Sequence, residues 1–383
     1  MLRSLSAALP SLLAAALATA LAPATVHAND TLLPCIETDQ PIVLAHRGAS
    51  GYLPEHTLAA YALAIEMGAD YVEPDLVMTK DGVLVARHEN EIGGTTDVAD
   101  KPEFAARKTT KLIDGVAIEG WFSEDFTFAE LRTLRAKERI PQLRPDNQRF
   151  DVVFPVPSFQ EVLDLVRGVN FRFHLQAKAA GSNARRCVGI YPETKHPSYF
   201  RGIGLPMERP LLRLLNRGTF FRTTDKVFIQ SFEVGNLKML RTMTSFPLVQ
   251  LLSDTGKPWD FVVSGDPRTY ADLAKPEGLA EIAGYAAGIG VNKNLMIPRT
   301  PSGMLGAPTT LIGDAHAAGL VVHGWTFRAE NFFLPTDFQS PGGEPAARGN
   351  LAGEIATFLE QGMDGFFTDQ ADIGVRARDD FAN

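Results

Sequence analysis

Short apolar runs alternate with longer segments of helical periodicity along most of the chain. The apolar runs predict strands, because they are short, rich in β-branched residues and bounded by turn residues. The intervening segments repeat apolar residues with the spacing of an amphipathic helix. The predicted strands lie at 41–48, 69–82, 83–89, 188–195, 225–232, 246–253, 286–292, 320–327 and 364–370. The predicted helices lie at 57–68, 127–136, 157–168, 233–243, 309–319 and 353–362.

Three of these helices have clear start signals in the sequence. Thr57 is a suitable N-cap for the first, and Gly68 closes it. Thr127 and Ser158 are each followed three residues later by Glu, the pattern of a capping box.

The alternation of strands and helices recurs about eight times, which predicts an α/β fold of the TIM (β/α)₈-barrel type. An open, doubly wound sheet gives the same alternation and is the alternative. No Gly-x-Gly-x-x-Gly motif follows the first predicted strand, which weakens the nucleotide-binding version of that alternative.

Two polar segments interrupt the alternation of strands and helices. Residues 91–126 are rich in Gly, Thr and Lys, and so long a segment within a compact domain predicts a functional insertion after the second barrel strand region. We expect it to lie over the carboxyl-terminal mouth of the barrel. Residues 334–350, between the last two predicted strands, form a second candidate rim loop.

The amino terminus has the composition of a targeting segment. Arg3 precedes an Ala/Leu-rich run that ends in small residues at Val26-His27-Ala28. This pattern predicts a secretory signal peptide at 1–28 and a mature chain of 29–383 that forms a single domain, exported to the periplasm or secreted. A membrane anchor and a lipoprotein attached at Cys35 are the alternatives; the run contains Pro10, and Cys35 lies well past it.

Charge and cysteine content narrow the function classes. A net charge of −8 and the lack of a long basic run argue against nucleic-acid binding. The two cysteines, Cys35 and Cys187, both lie in the mature chain. Because an oxidising compartment permits it, we expect a disulfide between them, with two buried free thiols as the alternative.

Polar side chains collect near the predicted strand ends, where a barrel would bring them to one mouth. Residues i and i+2 of a strand face the same way, so Glu73 pairs with Asp75, and Glu193 pairs with Lys195. The other strand-end polar or aromatic residues are His46, Arg47, His88, Gln230, His323 and Trp325.

These residue types together indicate phosphoryl chemistry. Glu73, Asp75 and Glu193 offer only carboxylate oxygens, which suits Ca²⁺ or Mg²⁺ better than a structural zinc. His46 and His88 supply groups that titrate near neutral pH. Fixed cations for an anionic group come from Arg47 and Lys195. Each feature alone also fits a structural role, such as an ion pair at the barrel mouth.

The motifs resemble the glycerophosphodiester phosphodiesterase family, in particular its periplasmic bacterial branch. The likeness is strongest over 42–100, in "AHRGASGYLPEHTLAAY" and "ADYVEPDLVMTKDGVLVARHE", and continues through "IYPETK", "FIQSF", "GWTF" and "DGFFTD". It implies a metal-dependent hydrolase that converts glycerophosphocholine, glycerophosphoethanolamine and similar diesters to sn-glycerol 3-phosphate and an alcohol, in glycerol and phospholipid-headgroup catabolism.

The resemblance also implies a role for each matching residue. His46 and His88 correspond to the acid–base histidines, and Glu73, Asp75 and Glu193 to ligands of one divalent cation, Ca²⁺ or Mg²⁺. Arg47 and Lys195 correspond to phosphate-binding residues, Gln230 and Trp325 to further substrate contacts, and Glu55 to a supporting residue. The 91–126 segment corresponds to a small insertion that caps the mouth and shapes the glycerol pocket.

Some alternatives stay open at this point. A phosphatidylinositol-type phospholipase or a sphingomyelinase D-like lyase uses a related barrel, and an exported protein that binds phosphodiesters or Ca²⁺ without turnover is the non-enzymatic reading. Pro74 between the two carboxylates, and Glu89 after the second histidine, depart from the family pattern. The preferred alcohol, the metal and a homodimeric state are not determined by the sequence.

Overall fold

The computed structural model describes residues 32–217 and 226–382. The predicted signal peptide, 1–28, lies outside these residues. The strands are β1 Ile42–His46, β2 Tyr71–Glu73, β3 Asp75–Met78, β4 Leu84–Ala86, β5 Thr109–Ile113, β6 Val116–Gly120, β7 Gly189–Ile190, β8 Glu193–Thr194, β9 Ile229–Ser231, β10 Leu248–Leu252, β11 Gly288–Asn292, β12 Val321–Phe327 and β13 Gly365–Thr368.

Helices of the described residues cover both long barrel helices and single turns. They are α1 Leu58–Glu66, α2 Phe128–Leu131, α3 Phe159–Ala179, α4 Pro197–Gly202, α5 Glu208–Leu215, α6 Val234–Arg241, α7 Trp259–Ser264, α8 Tyr270–Leu273, α9 Pro276–Ala283, α10 Lys293–Met296, α11 Leu311–Ala317, α12 Leu351–Leu359 and α13 Ala371–Ala382. Short 3₁₀ turns lie at Val98–Asp100, Pro102–Arg107, Ser123–Asp125, Pro145–Phe150 and Thr336–Phe338.

The parallel strands close into the predicted TIM barrel. β2 and β3 are two halves of one strand interrupted at Pro74, and β7 and β8 are two halves of the next, interrupted at Tyr191 and Pro192. β1 pairs with both β13 and β2, and parallel pairing continues through β7 and β8 to β9, β10, β11, β12 and back to β13. The eight-fold alternation predicted from the sequence is therefore confirmed.

Two apolar layers hold the barrel together. A large cluster joins the outward faces of the strands to the helices, with fully buried Val43, Val72, Ile289 and Phe366 among its members. A smaller aromatic cluster, Leu44, Tyr71, Tyr191, Val249 and Phe367, fills the barrel interior. Side chains of parallel barrel strands fill the interior in layers, so the polar residues at the strand ends lie above this plug.

The sequence-predicted helix at 127–136 is wrong in length. The capping box at Thr127 is present, but α2 covers only Phe128–Leu131. The helix that returns from the second barrel strand is α3, which starts at the capping box of Ser158 and runs to Ala179. Consequently, the chain between β3 and α3 holds an antiparallel strand, β4, the hairpin of β5 and β6, and short turns. The irregular region thus extends beyond the predicted 91–126.

A disulfide joins Cys35 to Cys187, as expected from the sequence. It fastens the amino-terminal arm to the segment that precedes β7. The arm is also held by backbone hydrogen bonds from Ile36 to Arg185 and from Arg185 to Pro34. In the described part of the chain, no helix is both long and apolar enough to cross a bilayer.

We predict that loss of this disulfide lowers stability without removing the site. The two cysteines are 152 residues apart, and a loop of that length restricts the unfolded chain strongly, so we expect a loss of about 3–5 kcal/mol. Urea unfolding of the double variant Cys35→Ser/Cys187→Ser measures it. Reduction of the wild-type chain serves as the control and should give the same loss; a double variant that unfolds at the wild-type urea concentration would contradict the prediction.

Candidate active site

A cavity of about 320 Å³ opens at the carboxyl ends of the barrel strands. Its floor carries the polar strand-end residues, and its outer wall comes from β11, the chain after it, and the loop after β12. The lining residues with polar, charged or aromatic side chains are His46, Arg47, Glu73, Asp75, His88, Glu193, Gln230, Phe232, Asn292, Lys293, Asn294, Arg299, Trp325, Thr326, Arg328, Phe332, Phe333 and Phe367. Active sites of TIM barrels lie at this end of the strands.

Three carboxylates meet at the floor, as the sequence predicted. Glu73 ends β2, Asp75 begins β3, and Glu193 begins β8 beside Asp75. One oxygen from each lies within 4.8 Å of the others, and all three residues are buried. Burial together with the neighbouring carboxylates raises the pKa of Glu73 well above its usual range. Burial raises the pKa of Glu193 to about 8, although Lys195 opposes the shift.

This cluster fits a hard divalent cation. Asp75 Oδ1 is buried and has no hydrogen-bond partner among the described residues, and a buried oxygen of that kind is costly unless something binds it. Three close carboxylates repel one another in a protein interior unless a cation neutralises them. Glu73, Asp75 and Glu193 would hold the ion, and their oxygen donors match Ca²⁺ or Mg²⁺.

Arg47 lies beside the carboxylates because of a tight turn after β1. Its φ is 60°, and Gly48 follows at φ 86°; a side chain at Gly48 would lie 2.7 Å from the backbone of Ala60. The turn directs the Arg47 N–H to Glu73 Oε2 at 2.9 Å. Its guanidinium pairs with Glu55 at 3.0 Å and with Asp75 at 3.3 Å. Glu55 thus lies against the Arg47 guanidinium, and the supporting role that the resemblance implied for it stays a prediction.

His46 is oriented by a buried carboxylate. Its Nδ1 donates to Asp369 Oδ1 at 2.6 Å. A carboxylate can only accept, so the neutral ring carries its free lone pair on Nε2. Burial lowers the pKa of His46 to about 4, with a smaller contribution from Arg47, so the ring is neutral at pH 7. The second oxygen of Asp369 accepts from Arg144 at 2.6 Å and from Arg328 at 2.8 Å.

We predict that Asp369→Asn lowers kcat roughly 100-fold, because an amide can present its N–H to Nδ1 and favour the other tautomer. KM should change little, since Asp369 lies behind the histidine. Steady-state kinetics with a matched thermal melt measure both effects. A kcat within threefold of wild type in a folded variant would contradict this role of Asp369.

His88 has the same kind of partner. Its Nδ1 donates to Glu89, and its Nε2 lies 3.3 Å from the Lys195 ammonium, which donates to it. Burial lowers the pKa of His88 to about 3, helped by Arg47 and Lys195. Glu89 therefore performs the orienting contact on His88.

The remaining predicted residues also lie at this site, with different contacts. Lys195 pairs with Glu193 at 2.8 Å and lines a second cavity of about 250 Å³ beside the first. Gln230 donates to Glu73 Oε1 at 3.0 Å, so it positions a carboxylate. Trp325 forms part of the main cavity wall, packs edge-on against Phe232 at 5.8 Å, and donates its indole N–H to the Gly290 carbonyl.

The resemblance implied that the 91–126 segment shapes the main pocket, and the structure places it differently. Among the described residues, none from 91–126 lines the main cavity. The tip of the β5–β6 hairpin instead reaches the second cavity, where Asp114 pairs with His196 at 2.6 Å. The loop after β12 contributes to the outer wall of the main cavity through Phe332 and Phe333, which precede the predicted rim loop; in the described chain no residue of 334–350 lines this cavity.

Sequence reasoning missed three residues that position the site. His56 is fully buried and donates to Asp75 at 2.9 Å, while its other nitrogen contacts Tyr61. Arg139 joins Glu55 to Glu89 through four hydrogen bonds. Two of them had a signal in the sequence: Asp369 lies at a strand end in "FFTDQ", and His56 lies between Glu55 and Thr57. Arg139 lies in an irregular segment, which gives no signal for its role.

Comparison with known proteins decides the family. The sequence model of the glycerophosphoryl diester phosphodiesterase family matches residues 46–373. The chain belongs to that family. It is therefore an enzyme of the phosphodiesterase type.

Individual relatives agree with this membership. A glycerophosphodiester phosphodiesterase of Arabidopsis thaliana is 34% identical over 87% of this chain and 85% of its own length. One of Haemophilus influenzae is 30% identical over 95% of this chain and 96% of its own. The solved structure of an Oleispira antarctica phosphodiesterase, described as a complex with the product sn-glycerol 3-phosphate, has the same fold, with a TM-score of 0.54 at 18% identity over 89% of this chain and 97% of that one.

Proposed function

We propose that this phosphodiesterase hydrolyses glycerophosphodiesters such as glycerophosphocholine and glycerophosphoethanolamine to sn-glycerol 3-phosphate and an alcohol, with a bound divalent cation. The observation that carries the proposal is one cavity that combines a three-carboxylate cluster with two neutral, carboxylate-oriented histidines. The names of the Arabidopsis and Haemophilus relatives and the product in the Oleispira structure support the substrate class.

The chain's own residues divide the work between charge and proton transfer. Arg47 is a fixed cation beside the carboxylate cluster and binds a non-bridging phosphate oxygen. Nε2 is unprotonated at neutral pH in both His46 and His88, although that of His88 accepts a hydrogen bond from Lys195, and one of the two removes the proton of the attacking hydroxyl. The other histidine acts as the general acid. It must first be protonated, and it then delivers that proton to the leaving alkoxide.

A bound Ca²⁺ or Mg²⁺ supplies Lewis-acid polarisation of the phosphate and neutralises developing charge. The attacking hydroxyl is water or the glycerol 2-hydroxyl. In the first route, the bond between phosphorus and the leaving alcohol breaks as the bond to water forms. In the second, a cyclic glycerol phosphate forms and water then opens it, so both routes consume one water.

Product analysis tests the reaction class. With purified protein, glycerophosphocholine and added Mg²⁺ or Ca²⁺, ³¹P NMR should show sn-glycerol 3-phosphate as the final phosphorus product. Phosphocholine as product would mean cleavage of the other ester bond. Accumulated cyclic phosphate would assign the chain to the lyase-like relatives, and activity confined to intact phosphoinositides would assign it to the phospholipases.

We further propose that the enzyme works outside the cytoplasm. The Cys35–Cys187 disulfide supports this location, because such bonds persist in oxidising compartments. The mass of the protein recovered from its native cell should correspond to a chain that starts at Asn29. A recovered chain that retains 1–28 would contradict cleavage of the signal peptide.

A further inference from the structure

The outer end of the main cavity is a cluster of cations and aromatic rings away from the carboxylates. We define the rim cluster as Arg299, Arg328, Phe332 and Phe333, all of which line the cavity. Phe333 connects its members: the Arg328 guanidinium lies 4.6 Å from the ring centre, and Arg299 donates to the backbone carbonyl. The Phe332 ring packs edge-on against Phe333 at 5.0 Å and is 64% exposed.

The charges along the cavity are divided by position. The acidic lining residues are the three carboxylates at the floor, Glu73, Asp75 and Glu193. Every other charged residue that lines the cavity in the described chain is a cation, and of these Arg47 lies beside the carboxylates. These cations are Arg47, Lys293, Arg299 and Arg328.

Three of these four cations already have a carboxylate partner, and Arg47 has two of them in Glu55 and Asp75. Lys293 pairs with Glu354 at 2.6 Å, and Arg328 binds Asp369 through Nε alone. Arg299 forms no ion pair with any residue that the structure describes, and its hydrogen bond goes to the Phe333 carbonyl. Two acidic residues of the loop after β12 are engaged elsewhere: Glu330 pairs with Arg144 at 2.6 Å, and Asp337 accepts from the Leu305 backbone N–H. Arg299 therefore gives the rim cluster one positive charge that no described carboxylate pairs with.

We propose that the rim cluster binds the leaving alcohol and selects alcohols that carry an anionic group of their own, such as a second phosphate. This inference rests on the proposed function and deepens it, because the phosphodiester occupies the floor and leaves the alcohol at the rim. A guanidinium presents paired N–H donors to phosphate, and Phe332 offers an apolar face to the carbon skeleton. A choline group would meet two arginines there, and Arg328 already occupies one face of Phe333.

Three diesters that differ in the charge of the alcohol test the proposal. They are glycerophosphocholine, with a cationic alcohol, glycerophosphoglycerol, with a neutral one, and bis(glycerophospho)glycerol, whose leaving alcohol carries a second phosphate. Initial rates of glycerol 3-phosphate release at fixed free metal should give the highest kcat/KM for the third. We expect a preference of about tenfold over the choline diester at low salt, reduced at about 0.5 M salt because the rim is exposed.

Charge reversal at the rim cluster separates selection of the alcohol from a general loss of activity. Arg299→Glu should lower the ratio of kcat/KM for bis(glycerophospho)glycerol to that for glycerophosphocholine about tenfold or more. Arg213→Glu, an exposed arginine on α5 outside the cavity lining, is the matched control and should leave the ratio unchanged. An unchanged ratio in Arg299→Glu, or a wild-type preference for the choline diester, would overturn the inference while leaving the proposed function intact. No release from any of the three diesters would contradict both.

Discussion

Replacing either cavity histidine by alanine should reduce turnover about 10³-fold or more while the protein stays folded. A positioned general acid or base contributes roughly 10²–10⁴-fold, and no other described imidazole lines the main cavity. His46 and His88 each present Nε2 to it because a carboxylate holds Nδ1. The measurement is kcat on glycerophosphocholine for His46→Ala and His88→Ala, with circular dichroism and a thermal melt for each.

His316→Ala is the matched control. His316 pairs with Asp364 at 2.8 Å on the outside of the barrel, and its side chain is 40% exposed, so the variant should keep wild-type kcat. Removing both cavity histidines should lower kcat little more than removing one, because the effects of two groups that act in one proton-transfer sequence are not additive. Retained activity in either single variant would refute the acid–base assignment.

Neutralising the carboxylate cluster should have a comparable effect by a different route. Asp75→Asn keeps the shape of the side chain but removes a negative charge from the cation site. It also weakens the contacts that Asp75 makes with His56 and Arg47. We expect kcat/KM to fall at least about 10³-fold. Metal binding, followed by isothermal titration calorimetry, should weaken in parallel.

The control and a second variant keep this prediction specific. Glu277→Gln on α9 removes an exposed carboxylate outside the cavity lining and should change neither activity nor metal binding. Glu193→Gln should lower metal affinity as Asp75→Asn does. Full activity of a folded Asp75→Asn protein without measurable metal binding would contradict the role of the cluster.

The fold was predictable from the sequence because strand and helix periodicity repeat along nearly the whole chain. Because parallel barrel strands end at one mouth, the strand-end positions of Glu73, Asp75 and Glu193 then predicted that these three residues lie together. Prediction failed where a start signal is not followed by a long helix. The Thr127 capping box starts a helix, but α2 ends after one turn. Helices such as α4, which begins at Pro197 after a left-handed His196, have too few periodic residues to be recognised.

The supporting residues were harder to predict than the site itself. Arg139 comes from an irregular segment and reaches Glu55 and Glu89 only through tertiary packing. Asp369 directly follows β13 in a pattern no stronger than that of other strand ends, and its role depends on the register that places β13 beside β1. The rim cluster is invisible in the sequence for the same reason, because Phe333 joins two arginines that are separated along the chain.

The most direct test of the central claim is release of sn-glycerol 3-phosphate from glycerophosphocholine by the purified chain of residues 29–383 before and after EDTA, with Ca²⁺ and then Mg²⁺ added back. The account predicts turnover that EDTA abolishes and that at least one of the two cations restores. Full turnover in EDTA, or none with either cation in a folded protein that binds the metal, would contradict a metal-dependent glycerophosphodiesterase.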